Sequence, residues 1–326
     1  MRASSSTIGV AAALLAGASC AGAASRETAG PPRNGLVAGG ASAGCSSCHA
    51  EAARGWAESM HHASFSNADF QAAYADEPLP FCRDCHAPGF RTGRPSAVAD
   101  GIGCLDCHTV PSRHGDGGAP ASRPSTVPCA NCHDFSVAEG ATSRGAGTLR
   151  ARALQRTAQE HAASPFAATP CTGCHGAGDH RFPGTRDPLR ANPLRATLSA
   201  TPAALTVTLH AVGVGHAFPT GDLFRALRVR LWTEGTPRGE GGAVTSDAEI
   251  RLRRAFGTAE GHRSEEGDTR LGVAGAASHT WTIPRPPGAV RAHLDVTYER
   301  GASDRGGLFT TFGERLLLSE SWLLGE

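Results

Sequence analysis

From Leu205 onward, apolar residues recur at every second position. Leu205, Val207, Leu209 and Ala211 alternate with Thr206, Thr208 and His210, and Leu227, Val229 and Leu231 alternate with Arg228, Arg230 and Trp232. Ala292, Leu294, Val296 and Tyr298 repeat the pattern. A period of two marks strands with one buried face. With Ala248 to Phe256 and His279 to Ile283 added, residues 197–326 are expected to form a small antiparallel β-sandwich. Phe312 to Leu324 is apolar enough to pack back as a last strand or helix. Residues 45–196 follow another pattern, with few long apolar runs. Thr148 to Ala163 contains neither proline nor glycine and predicts a helix, with Leu149, Ala153, Thr157 and His161 on one stripe. Residues 21–44, rich in alanine, glycine and proline, read as a flexible tether. The expected fold class is α + β, with a mainly helical and loop domain preceding the sandwich.

The apolar deficit of residues 45–196 coincides with five repeats of one pentapeptide, Cys-x-x-Cys-His. They are Cys45-Ser-Ser-Cys48-His49, Cys82-Arg-Asp-Cys85-His86, Cys104-Leu-Asp-Cys107-His108, Cys129-Ala-Asn-Cys132-His133 and Cys171-Thr-Gly-Cys174-His175. In such a motif the two thiols add to the vinyl groups of a haem and the adjoining histidine ligates the iron. Cys82, Cys85, Cys104 and Cys107 also have zinc-ribbon spacing. Zinc gives no reason for a histidine to follow the second cysteine, and here one follows all five times. Five covalently attached c-type haems are therefore expected, their porphyrins supplying the apolar mass that the side chains lack. The short connection between the second and third motifs predicts that those two haems lie close together.

Composition narrows the function further. All 31 cationic residues are arginine, so no lysine is present to ligate a haem, form a Schiff base or serve a phosphate loop. The formal charge of +1 indicates no basic surface for nucleic acid, and haem propionates would make the loaded chain acidic. Arg2 and the apolar run Ile8 to Ala18 read as an export signal over residues 1–20, too short to span a bilayer. Cys20 follows Leu14-Leu15-Ala16-Gly17-Ala18-Ser19, which is similar to a permissive lipobox; cleavage there would leave Cys20 as a lipidated first residue. Ordinary cleavage near Ala21-Gly22-Ala23 would instead discard it. Either route places the chain in the periplasm or elsewhere in the cell envelope.

Several phrases around the motifs resemble multihaem cytochromes of the cytochrome c-554 type. Trp56-Ala-Glu-Ser59-Met-His61 matches that group's Trp-x-x-Ser-x-His, Asp100 to Val110 resembles its third motif, and Gln155-Arg-Thr157-Ala-Gln-Glu160-His161 matches Gln-x-Thr-x-x-Glu-His. Gly215-His216-Ala-Phe218-Pro219-Thr220-Gly221 is similar to a phrase that in those proteins precedes a β-domain. The resemblance implies His61, His114, His161 and His216 as distal haem ligands, with His62 in reserve and facing water. His180 lies too near His175 to share its porphyrin and is expected on a different haem. A tight turn at Pro219 to Asp222 with His216 exposed is the plainer reading of that loop. His210, His262, His279 and His293 are expected to be solvated, and Arg228, Arg230, Arg251, Arg253 and Arg254 to face water, propionates or a partner.

Methionine is nearly absent, and histidine on both faces of each iron implies low potentials and no vacant coordination position. The expectation is an electron relay between redox partner proteins, such as other cytochromes or a quinol-linked membrane complex. A redox enzyme acting on a small nitrogen or sulfur compound at one five-coordinate haem is the alternative.

Overall fold

A computed structural model describes residues 41–76, 78–91, 93–94, 97–108, 126–137, 152–176, 178, 180–184, 193–235, 244–259, 262–273, 277–303 and 309–325. The export signal, Cys20, most of the tether and His114 lie outside the described residues.

The first half is a string of short helices: α1 (Ala41–Ser46), α2 (Ala50–Ala57), α3 (Ala68–Asp76), α4 (Cys82–His86), α5 (Ala97–Asp100), α6 (Cys104–Cys107), α7 (Thr126–His133), α8 (Thr157–Ala162) and α9 (Cys171–Cys174). Every pentapeptide contributes to such a turn, because one turn of helix brings residues i and i+3 to the same side and so aligns its two cysteines. Asp106 closes the turn of α6 by accepting the amide of Gly103 at 2.8 Å. Tertiary contacts gather these turns, and α7 touches α4, α6, α8 and α9. Among the described residues before Pro193, Ala87 is the one buried apolar side chain.

Two strands, β1 (Asp134–Val137) and β2 (Arg152–Arg156), pair antiparallel within this half. They correct the helix expected over Thr148 to Ala163. The strand takes residues 152–156, and among the described residues of this stretch Thr157–Ala162 are helical, because pairing with β1 outweighs local helix propensity. The expected stripe is thereby broken. Residues 41–44, expected in the tether, belong to α1, which runs into the first motif.

The second half comprises β3 (Leu194–Ala200), β4 (Ala204–Ala211), β5 (Arg225–Gly235), β6 (Val244–Ala259), β7 (His262–Asp268), β8 (Ser278–Pro284), β9 (Ala289–Ser303) and β10 (Phe309–Leu323). They form a three-stranded sheet, β3-β4-β8, and a five-stranded sheet, β10-β9-β5-β6-β7. All pairings are antiparallel. The period-two reading holds: Leu205, Val207 and Leu209 are fully buried, and they share one apolar core with Leu227, Val229, Leu231, Leu294 and Val296 of the other sheet. On the outer face, Thr206 bonds Thr282 and Thr208 bonds Thr280, each at 2.9 Å. The terminal segment is a strand, β10. Together helices and antiparallel sheets make the chain α + β.

The arginines expected on water-facing strands are mostly paired. Glu299 of β9 is fully buried and accepts from Arg251 at 2.9 Å, with Arg228 equally close. Arg230 pairs with Asp247, and Arg254 is buried against Glu265. His293 is not simply solvated either. Its ring stacks on Trp232 at 5.0 Å and its Nδ1 meets Ser321 Oγ.

Candidate haem-binding site

Among the described residues, histidine rings approach one another in three places. His108 and His180 lie 6.2 Å apart between ring centres and 27° from parallel; His175 and His216 lie 6.1 Å apart and 11° from parallel. His61 and His133 lie 6.3 Å apart at 65°. Each pair joins the histidine of a pentapeptide to one of the expected distal histidines. The members are distant in sequence, and His216 comes from the loop between β4 and β5.

The local backbone explains several of these placements. Trp56 Nε1 donates to the carbonyl of Ile102 at 2.8 Å, and Ile102 N donates to the His61 carbonyl at 3.0 Å, so the segment before the third motif pins the turn carrying His61. Gly101, at φ 57°, makes this possible: any Cβ there would collide with the carbonyl oxygens of His61 and His62. His180 and Phe182 adopt left-handed φ values of 56° and 49°. That conformation costs a residue with a side chain about 1 kcal/mol or more, and here it sets the Phe182 ring edge-on between His61, at 4.7 Å, and His180, at 5.9 Å. The expectation that His62 faces water is corrected: its ring packs on Trp56 at 4.2 Å and its Nδ1 is buried.

His161 sits beside the His216 loop, its Cδ2 close to Gly215. His86 stacks on Phe70 at 3.8 Å within a group of aromatic rings that includes Phe65, Tyr74 and Phe90. Thiols of different motifs also meet, and Cys132 of the fourth lies near both the second and the third. Cys45 hydrogen-bonds Cys104, Cys85 hydrogen-bonds Cys132, and Cys129 hydrogen-bonds Cys171. The first motif therefore meets the third, and the fourth meets both the second and the fifth.

Protonation favours metal ligation. Burial, reinforced by His133 and His175, pushes the His61 imidazolium down to about 4. Burial likewise lowers His86, His108, His133 and His216. Neutral imidazole is the form that binds a metal. Three rings have their tautomer fixed as well: Nδ1 of His86, His175 and His216 donates to the carbonyls of Ser64, Pro183 and Ala217 at 2.8, 3.0 and 2.9 Å. That leaves Nε2 as the lone-pair nitrogen, which is how a protein orients a ligating histidine. The buried Nδ1 of His180 has no hydrogen-bond partner among the described residues. Paired imidazoles next to paired thiols fit covalently attached haem.

The family model for cytochrome c554 and c-prime matches residues 44–109, a span holding the first three pentapeptides. The fold is similar to that of a penta-heme cytochrome c552 from Thermochromatium tepidum, with a TM-score of 0.63 at 18% identity, covering 86% of this chain and 97% of that one. At that identity the likeness is one of fold, and the family match is confined to the span of the first three pentapeptides. A second solved structure, MtrC from Shewanella baltica OS185, matches with a TM-score of 0.21 at 16% identity over 67% of this chain and 35% of that chain, too loosely to bear on the fold. No curated protein matches. Among the described residues no helix of this chain is long and apolar enough to cross a membrane.

Proposed function

We propose that the chain carries five covalent haems, each bound through one pentapeptide with histidine on both faces of the iron, and relays electrons between partner proteins outside the cytoplasm. The three imidazole pairs carry this reading. A metal–nitrogen bond of about 2 Å on each side, and roughly 1 Å more from nitrogen to ring centre, separates two trans imidazoles by about 6 Å. The observed 6.1, 6.2 and 6.3 Å agree with that spacing. On this reading His180 would serve the third motif, His61 the fourth and His216 the fifth. His114 and His161 remain for the first and second.

Bound haem supplies reversible one-electron exchange at its iron. The polypeptide sets spacing, exposure and ligation, which tune potential. Thiol contacts between the first and third, second and fourth, and fourth and fifth motifs support short hops, with α7 as the common neighbour. Electrons would thus follow spatial order rather than sequence order. The partners are other redox proteins, met through exposed haem edges, and a lipid anchor at Cys20 would hold the relay at a membrane.

Intact mass of the mature protein tests the count: five haem increments are expected, and fewer would overturn it. Low-temperature electron paramagnetic resonance tests the ligation. Low-spin ferric signals throughout are expected, whereas a high-spin signal that shifts with cyanide would mark an open iron and redirect the reading toward catalysis.

A further inference from the structure

The loop that carries His216 is held by a group remote from the pentapeptides. Arg270, with a side chain 4% exposed, lies between β7 and β8. Its guanidinium donates twice to Asp268, at 2.9 and 2.7 Å, once to the carbonyl of Pro219 at 3.1 Å and once to Glu160 at 2.6 Å. Glu160 in turn accepts from Thr220 at 2.7 Å, and Thr220 meets Thr157 at 2.9 Å. Arg270 therefore grips the His216 loop directly through Pro219 and indirectly through Thr220. The same carboxylate belongs to the residue before His161.

The contacts on either side have no slack. Leu271 and Phe218 exchange backbone hydrogen bonds at 2.7 and 3.1 Å. Gly272, at φ 83°, lets its backbone close on His216, where a Cβ would stand 3.0 Å from the carbonyl oxygen. Gly215 closes on Phe166 and His161 in the same way, at 3.1 and 3.3 Å. Beyond Asp268 the ion chain continues through Arg156 to Glu265 and on to Arg254, which donates to the Leu154 carbonyl at 2.9 Å. Three arginines alternate with three carboxylates, so the chain is electrically balanced.

Desolvation cancels much of the Coulomb attraction in such a chain, and apolar replacements are often at least as stable. Geometry is what it adds: only a guanidinium presents enough donors in one plane to hold two carboxylates and a carbonyl together. We propose that Arg270, acting with Glu160, is a positioning residue that fixes the imidazole of His216 opposite His175. This rests on the reading of His216 as a distal haem ligand.

The test uses the mature, haem-loaded protein. His216→Ala identifies the ferric low-spin signal belonging to this pair, roughly one of five on the ligation read above. Arg270→Gln is expected to keep the full haem mass while shifting or broadening that same signal and sparing the others. Arg270→Lys, which keeps the charge but loses the fork, should show a smaller change. If Arg270→Gln does not mature, Glu160→Gln is read in its place, with the same signal expected to move. The signal staying unmoved in whichever of these two variants is read would overturn the positioning role and leave the ligand assignment standing. No signal lost in His216→Ala would sink the ligand assignment and the proposal with it.

Discussion

The two halves of this chain solve the problem of an interior in opposite ways. Residues 194–325 bury a continuous set of leucines and valines from two sheets, and the alternation that does so is written in the strands themselves. Among the described residues of 41–184 almost no apolar side chain is buried; what is buried there includes Ser59, Ser64 and Asp100. One half is complete as polypeptide, whereas the other is a set of short turns arranged around histidine pairs. A deficit of side-chain core thus marks where a prosthetic group takes the place of a core.

The largest effect that distinguishes the halves should come from withholding haem. Chain produced without c-type maturation is expected to lose helical circular dichroism and to be cut by protease throughout residues 41–184, while a fragment spanning residues 194–325 survives. Resistance of the helical half in that state would erase the distinction. A smaller effect follows from the core of the other half. Leu209→Ala, at a fully buried position, should cost about 2–5 kcal/mol in chemical denaturation without changing the haem mass.

The sequence revealed these halves unequally, for physical reasons. Strands with one buried face carry their period locally, so β4, β5 and β9 were legible from Leu205, Leu227 and Leu294 and their neighbours. Strand β7, His-Arg-Ser-Glu-Glu-Gly-Asp, has no apolar period and exists because it pairs with β6. Strand β2 was hidden likewise, since its partner lies beyond a long connection. The pentapeptides announced one histidine each, but the rings that approach them come from remote segments, and only the tertiary fold shows that His61 stands by His133 or His180 by His108. The Arg270 chain was invisible for the same reason: no local pattern distinguishes an arginine that bridges two segments from one that faces water.

A still smaller effect sharpens the comparison at the seam. Burial alone would raise the carboxyls of Glu265 and Asp268, but Arg254 outweighs it for Glu265 and Arg270 for Asp268, holding both below the usual carboxylate range. A depressed carboxyl contributes stability that is present above its unfolded pKa, about 4 for these residues, and is lost as pH falls through the folded value. The thermal midpoint is therefore expected to drop as pH falls below about 4, and Glu265→Gln should make that drop shallower. An equally steep acid loss in the variant would remove this pair from the account.

The position of α7 has a consequence for biosynthesis. A nascent chain emerges from its N-terminus, so the first three pentapeptides appear before the helix against which α4 and α6 pack. Until then Cys85 has no Cys132 to bond, and α4 and α6 have no α7 to pack against. The same wiring that makes α7 the common neighbour in the finished molecule thus postpones the docking of these turns until the fourth motif has been made.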